Sequence, residues 1–555
     1  MRYSMKNLKG DLSGGLVAGV IALPLALGFG VQSGMGAAAG LYGAIALGIF
    51  AAWLGGTSTQ ASGPTGPMTV VAASIVASAV TRTGSLEEGL GIVLMSFFAC
   101  GLFQLGLGLL GIGKYVKYFP YPVISGFMSG VGVIIVLLQV WPLLGSPSPK
   151  STFEVVSHIQ EPLSAINWGA VFLGLLTLSI NYLFPFVTKA VPSVLVALIA
   201  GTGVAITAGL GVPTVGEIPT GFPDLRANVF INIDPSDHAF IVGSGLTLAL
   251  LGSIDSLLTS VIADNMTKTQ HDSRRELIGQ GVGNMIAACF GGIPGAGATK
   301  GTVVNINAGG KTRLSGVVHG LFLLAVLLGA GPFASYIPLS VLAGLLISVG
   351  IAIIDYKGLR HLLHVPRADA LVMIVVLGWT VFGTLIYAVA AGIVLASLLF
   401  MKKVGDLAEE SSSVETLGRL PAEEPWSDEI ELMQKHEGKV SVTHLHGPLF
   451  FGFTSGYRAL ASQLSPKTRV LIIRMERVPY MDQSGMYALE ETVHSLHAKG
   501  TTVLIIGIRD QPLEMLRRIC LVPDLVPEDH LFDDMNACMA WLAKDYAPAV
   551  ESGAT

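Results

Sequence analysis

Residues Ser62–Val71 read SGPTGPMTVV, with Pro64 and Pro67 bracketing Thr65 and Gly66 ahead of a run of Val, Ala and Ile. The stretch sits inside a long apolar region, yet it opens with residues that cannot donate backbone hydrogen bonds. Working outward, apolar segments recur from Leu16 to Phe400, and a spanning helix needs about 20 such residues. The 555-residue chain is 51% hydrophobic and only 13% charged, where a soluble protein carries about 25% charged residues. This is a polytopic α-helical membrane protein. About fourteen segments can be counted, several of them short or interrupted by Gly and Pro.

The first segment, Leu16–Gly34, is followed by further apolar segments rather than by a polar mature domain, so it reads as a span and not a signal peptide. Cys100, Cys289, Cys520 and Cys538 lack metal-ligand spacing and do not suggest a disulfide framework. A net charge of −5 gives no reason to expect a nucleic-acid partner.

Composition changes after Met401-Lys402-Lys403. We expect a membrane domain over 1–403, an acidic Ser- and Pro-containing linker over 404–437, a soluble α/β domain over 438–546 and a short tail over 547–555. Within the soluble part, KVSVTHLHGPLFFG, RVLIIRM and TTVLIIGI read as strands; SGMYALEETVHSLHAKG and QPLEMLRRIC read as helices. Orientation follows from the loops. With the N-terminus inside, inner loops hold Lys114, Lys117, Lys189, Lys268, Arg274, Arg275, Lys311, Arg313, Lys357, Arg360 and Arg367, against only Arg82, Lys150 and Arg226 outside. That asymmetry obeys the positive-inside rule and puts both termini in the cytoplasm of a multi-pass plasma (inner) membrane protein.

A second copy of the opening motif exists. Gly291–Gly310 reads GGIPGAGATKGTVVNINAGG, again Pro and Gly before a short Val-rich run. Thr65 to Val71 aligns with Thr299 to Val304, one residue shorter. The two copies fall in about the third and tenth spans, and an odd offset of seven inverts one relative to the other. A seven-plus-seven inverted repeat follows. Each copy then reads as an extended segment leading into a half-helix that begins near mid-membrane. Its first N–H groups have no internal partner and carry the positive end of the dipole. Two such ends facing one another make an anion site from backbone. Gly66 lets a ligand approach, and the Thr65, Thr69, Thr299 and Thr302 hydroxyls add hydrogen bonds. The competing reading is that Pro and Gly only kink two packed helices.

Ionisable residues within spans are functional candidates. Asp255 lies deep in LTLALLGSIDSLLTSVIADNMTKTQ, with Thr259 one turn later on the same face. Carboxylate, hydroxyl and nearby carbonyls suit a sodium-type cation; a proton on Asp255 would serve the same coupling, and a purely structural carboxylate is the alternative. Lys300 follows Thr299 directly and either strengthens the anion site or snorkels to water or an acid. No nucleophile–base–orienter set is visible, so the chain does not read as an enzyme, and no cofactor is expected beyond a coupling ion.

These residues resemble the sulfate permease (SulP) family over essentially the full chain. GDLSGGLVAGVIALPLALGFG is similar to its first-span signature, the two broken-helix motifs to its third and tenth spans, and the tail to its STAS domain. Within the family, the stretch from Leu251 to Thr299 looks most like the BicA-type sodium-dependent bicarbonate transporters. The resemblance implies core and gate helix bundles, a homodimer with STAS contacts, and alternating access in a lipid bilayer. It implies that Thr65 and the Ala298–Thr299 backbone hold the anion, while Asp255, Thr259, Gly297 and Thr299 hold sodium. Two positions depart from the pattern: Gly63 where an acid is expected, and Lys300 where an apolar residue is expected. The expected function is secondary active transport of an inorganic anion, sodium–bicarbonate symport first, with proton-coupled sulfate or dicarboxylate transport, or an anion channel, as alternatives. In VPYMDQSGMYALEE, Ser484 occupies the place phosphorylated in related STAS domains, and a helix N-cap role for Asp482 or Ser484 is the alternative.

Overall fold

A computed structural model describes residues 7–149, 151–188, 191–216, 221–226, 234–383, 385–410, 414–416, 439–450, 464 and 467–546. Contacts divide the chain into two units, Met1–Ala396 and Ser397–Thr555. Among the described residues, the apolar region forms fourteen principal helices: α1 (Leu8–Gln32), α2 (Ala37–Ala46, continued by a π-helical turn over Leu47–Ala51 to Leu54), α3 (Gly66–Thr83), α4 (Leu86–Leu109), α5 (Tyr121–Leu138), α6 (Trp168–Val187), α7 (Ser193–Thr207), α8 (His238–Thr267), α9 (Ser273–Cys289), α10 (Thr299–Asn307), α11 (Arg313–Ala334), α12 (Leu339–Ile353), α13 (Arg367–Phe382) and α14 (Leu385–Glu410). The stretch that opened the sequence reading is a short strand, β1 (Ser62–Gly63), ahead of α3; its partner is β2 (Ala296–Gly297), ahead of α10. With only nine residues, α10 is about 14 Å long and cannot cross a bilayer of about 30 Å by itself.

Local sequence explains the boundaries. Ser85 caps α4 by accepting from Glu88 N–H at 3.2 Å, and the glutamate three residues on completes a capping-box pattern. α3 ends at Gly84, whose φ of +92° is the left-handed turn that glycine adopts without strain.

The helices sort into two bundles. α1 packs on α2 and α11, and α4 on α8 and α9. α5 packs on α12 and α13, and α6 on α7 and α12. With no hydrophobic drive between helices in lipid, small residues that allow close approach set such contacts. A Cβ on Gly101 of α4 would lie 2.5 Å from Gly281 O of α9, and one on Gly281 would lie 2.6 Å from Gly101 O. Gly101→Leu should therefore force α4 off α9. Overpacking of this kind costs ~1–3 kcal/mol or more. The expected result is a lowered thermal midpoint and loss of the monodisperse peak in detergent. Gly106→Leu is the control, since a Cβ there meets nothing within 4 Å, and it should behave as the unaltered chain.

The second unit carries a five-stranded sheet in the order β3 (Val414–Thr416), β4 (Val440–His446), β5 (Val470–Arg477), β6 (Thr502–Ile506), β7 (Leu531–Phe532). β3 runs antiparallel to β4 and the rest are parallel. Successive side chains alternate between two cores. Leu471, Ile473, Val503 and Ile505 face Leu489 and Val493 of α15 (Gln483–Ala498). Val470, Ile472, Leu504 and Ile506 face Met535 and Cys538 of α17 (Met535–Trp541). Between them in sequence lies α16 (Asp510–Arg518). Burial on both faces is why these strands read as continuous apolar runs.

The expected linker, 404–437, needs revision at its start. α14 continues to Glu410, and Val414–Thr416 pairs with Ser441–Thr443 as an edge strand. Two β-branched residues suffice for an edge strand, and the surrounding acidic residues mask it in the sequence. Most of the remaining linker and the expected tail, 547–555, lie outside the described residues, as do Lys150 and Lys189. The expected strand beginning at Lys439 ends at His446, and TTVLIIGI stops before Gly507, whose φ is +67°. At α15 it is Asp482 that caps, accepting from Gly485 N–H at 2.8 Å; Ser484 is half-buried within the first turn.

Candidate functional site

The two extended segments meet as an antiparallel pair, Ser62 opposite Gly297 and Gly63 opposite Ala296. Ala298 N–H donates to Ala61 O at 2.8 Å and extends the pairing. Each strand ends two residues before its threonine, so Thr65 and Thr299 hold equivalent places on either side. From this crossing α3 and α10 run apart, with N-caps at Thr65 and Ala298. The first-turn N–H groups of Gly66 and Met68, and of Thr299, Lys300 and Gly301, have no intrahelical acceptor. Pro67 stands in the first turn, where its missing N–H costs nothing.

α8 passes beside this crossing and brings the predicted cation ligands to it. Thr65 Oγ1 donates to Asp255 Oδ2 at 2.7 Å. Thr259 Oγ1 lies 2.9 Å from Gly297 O, to which it donates, and 2.7 Å from Thr299 Oγ1. Asp255 and Thr259 are both buried. Three neutral oxygens thus cluster one helical turn from a carboxylate, the donor set that hard cations take. Each predicted ligand set therefore touches the other, through Thr65–Asp255 and through Thr299–Thr259.

Thr65, Gly66, Ala298, Thr299, Lys300 and Asp255 line one cavity of about 600 Å³. Across it, a Cβ on Gly66 would fall 2.6 Å from Ile135 Cδ1 of α5 and 3.0 Å from Ile353 Cδ1 of α12, so glycine is what allows the second bundle this close. The cavity continues to Tyr121, Ser125 and Asp355. There the Tyr121 and Ser125 hydroxyls each donate to Asp355 Oδ2 at 2.5 Å. Lys300 is exposed toward the cavity and has no carboxylate at ion-pair distance among the described residues.

Two predicted hydroxyls lie elsewhere. Thr69 is fully buried one turn into α3, away from the cavity lining, and its Oγ1 has no partner among the described residues. Thr302 Oγ1 accepts from Ala61 N–H at 3.1 Å and so holds the neighbouring segment. Both follow from helix geometry, because one turn along the helix leads away from the open N-terminal end.

The sequence reading missed the side chains that hold the extended backbone. On α9, Glu276, Gln280 and Asn284 recur every fourth residue along one face. Glu276 Oε2 accepts from Gly56 and Thr57 N–H at 2.9 and 2.8 Å, and its Oε1 from Gln60 and Gln280 amides at 2.7 and 2.9 Å. Gln280 also donates to Ser62 Oγ, while Asn284 both donates to Gly295 O and accepts from Gly295 N–H. From α8, Ser256 Oγ accepts from Gly297 N–H at 3.0 Å. From α10, Asn305 donates to Thr59 O at 2.9 Å. Non-helical backbone at membrane depth is tolerated only when its polar groups are met in this way. The signal was present as three polar residues at helical spacing in ELIGQGVGN, without any hint of their partners.

A sequence model described as the sulfate permease family matches residues 8–376, and one described as the STAS domain matches residues 431–537. The bicarbonate transporter BicA of Picosynechococcus sp. is 40% identical over 545 residues, spanning 96% of this chain and 94% of that one. Among solved structures, the transmembrane domain of a cyanobacterium bicarbonate transporter BicA aligns at 44% identity with a TM-score of 0.64, over 71% of this chain and 98% of its own. The murine Solute Carrier 26 family member A9 anion transporter, in its inward-facing state, aligns at 19% identity with a TM-score of 0.84, over 98% and 92%. The latter likeness shows a shared fold.

Proposed function

The chain belongs to the sulfate permease family and is an anion transporter, and from that premise we propose that it carries bicarbonate together with sodium. The observation that carries this reading is the shared wiring of the two ligand sets. Thr65 stands at the start of one half-helix and bonds Asp255; Thr299 stands at the start of the other and bonds Thr259. An anion held by the two helix ends would stand close to the Asp255 carboxylate and be repelled by it. A sodium ion between Asp255, Thr259, Thr299 and Gly297 removes that repulsion, so each ligand raises the affinity for the other. Transport then follows when the α5–α7 and α12–α14 bundle moves against the bundle that carries the site. The positive-inside pattern puts the Tyr121–Asp355 mouth on the cytoplasmic side of the plasma membrane.

Lys300 supports a second reading, a divalent anion such as sulfate or a dicarboxylate, because it adds a full positive charge to the cavity wall. Uptake into proteoliposomes of labelled bicarbonate, sulfate and succinate, with and without an inward sodium gradient, separates the two. We expect concentrative bicarbonate uptake that needs sodium. Lys300→Ala should leave it within ~2-fold while lowering any divalent uptake about 10-fold, the equivalent of ~1.4 kcal/mol. Sodium-independent sulfate uptake that collapses in Lys300→Ala would establish the second reading instead.

A further inference from the structure

Two opposite charges line the cavity from facing sides. Lys300 is the second residue of α10, on the bundle that carries the site; Asp355 follows α12 by two residues, on the other bundle. Among the described residues, neither has an oppositely charged group at ion-pair distance. Lys357 and Arg360 follow Asp355 on the short helix Tyr356–Arg360, but they do not reach it either. Its neighbours are neutral donors instead. The Tyr121 and Ser125 hydroxyls donate to Oδ2, and Gly358 N–H donates to Oδ1 at 3.1 Å. These bonds hold the carboxylate in place on the cavity wall and leave its charge uncompensated.

A lone charge is tolerable in a cavity open to water and costly in one that has closed. The bundles already touch beside this pair. Ile353, two residues before Asp355, has its Cδ1 3.0 Å from where a Cβ on Gly66 would stand. Closing the mouth about that contact narrows the space between Asp355 and Lys300, and the flexible four-carbon stem lets the amine follow. With an anion aboard, the anion is the partner of Lys300. Without one, closure would enclose the ammonium unpaired. Asp255 is the other acid lining the cavity, but it shares the bundle of Lys300 and bonds Thr65 at 2.7 Å. Rigid movement of that bundle leaves the Asp255–Lys300 separation as it is. The movement changes only the distance from Lys300 to Asp355.

We infer that Asp355 is the counter-charge of Lys300 in the empty carrier. The pair forms as the cytoplasmic mouth closes without an anion, and the next anion breaks it by taking its place on Lys300. Exchange of one anion for another never passes through the empty carrier, whereas net uptake passes through it in every cycle. Asp355 therefore serves net uptake and is dispensable for exchange. The inference rests on the two-bundle movement proposed above and not on which anion is carried.

The test measures both modes on the full chain in proteoliposomes, with labelled bicarbonate at alkaline pH, where little CO2 leaks. Exchange is read with unlabelled anion inside and equal sodium; net uptake is read with no anion inside and an inward sodium gradient. The ratio of net uptake to exchange should fall about 10-fold in Asp355→Asn, with exchange itself within ~2-fold of the unaltered chain. Adding Lys300→Ala to Asp355→Asn leaves no lone charge and should restore the ratio. Tyr121→Phe with Ser125→Ala removes the two hydroxyl bonds but keeps the carboxylate, and should keep the ratio too. Equal losses of exchange and net uptake in Asp355→Asn, or no recovery in the double variant, would overturn the pairing. An unaltered chain that carries sulfate and not bicarbonate would refute the bicarbonate reading alone, and the same ratios measured with labelled sulfate would then decide the pairing.

Discussion

Asp255→Asn is expected to abolish sodium-driven bicarbonate accumulation in proteoliposomes while leaving the protein folded. The asparagine carbonyl still accepts the Thr65 hydroxyl, the bond made at 2.7 Å, so the first half-helix keeps its anchor. What disappears is the negative charge that, on the proposed reading, would hold sodium. At ~4 Å and an effective dielectric of ~20, a unit charge pair is worth about 4 kcal/mol, so a loss of sodium affinity of 100-fold or more is the expected scale. Asp255→Ala goes further, because it also strands the Thr65 hydroxyl and should lower the thermal midpoint. Measured sodium dependence of uptake decides the matter. Asp255→Asn protein that still concentrates bicarbonate on a sodium gradient would show that the cation is held elsewhere.

Much of this site could be read from the chain because its devices are local. Pro67 and Gly66 announce a half-helix start at Thr65, and Gly291–Gly310 announces its inverted partner, since Pro and Gly have positional meaning within a helical run. Asp255 and Thr259 are legible because a carboxylate in an apolar helix needs a reason, and four residues is one turn. The rest depends on contacts between positions far apart in sequence. Nothing near Thr65 indicates that its hydroxyl is spent on Asp255, 190 residues away. Thr69 and Thr65 look equivalent in TGPMTVV, but only Thr65 sits at the open end. Strands of two residues carry no periodicity, so the β1–β2 crossing left only its glycines as a trace.

Glu276 presents the sharpest contrast with Asp255. Its two carboxylate oxygens each accept two hydrogen bonds, from backbone N–H groups on one side and side-chain amides on the other. Glu276→Ala would take the acceptor from four donors, three of them buried, at roughly 1–3 kcal/mol for each buried one, against a total stability of about 5–15 kcal/mol for a folded domain. Loss of the folded protein is the expected outcome. Glu276→Gln should be nearly as harmful, although it is close to isosteric. However its amide is turned, the NH₂ group faces two donors and can accept from neither. An amide therefore replaces the acid tolerably at Asp255, where one hydroxyl donates, and fails at Glu276, where every neighbour does. Thermal unfolding and fluorescence-detected gel filtration of the paired Asn and Gln variants test this directly. A Glu276→Gln protein with an unchanged midpoint and full uptake would mean that the extended segment ahead of Thr65 is held by its remaining bonds alone, to Ser260, Gln280, Thr302 and Asn305.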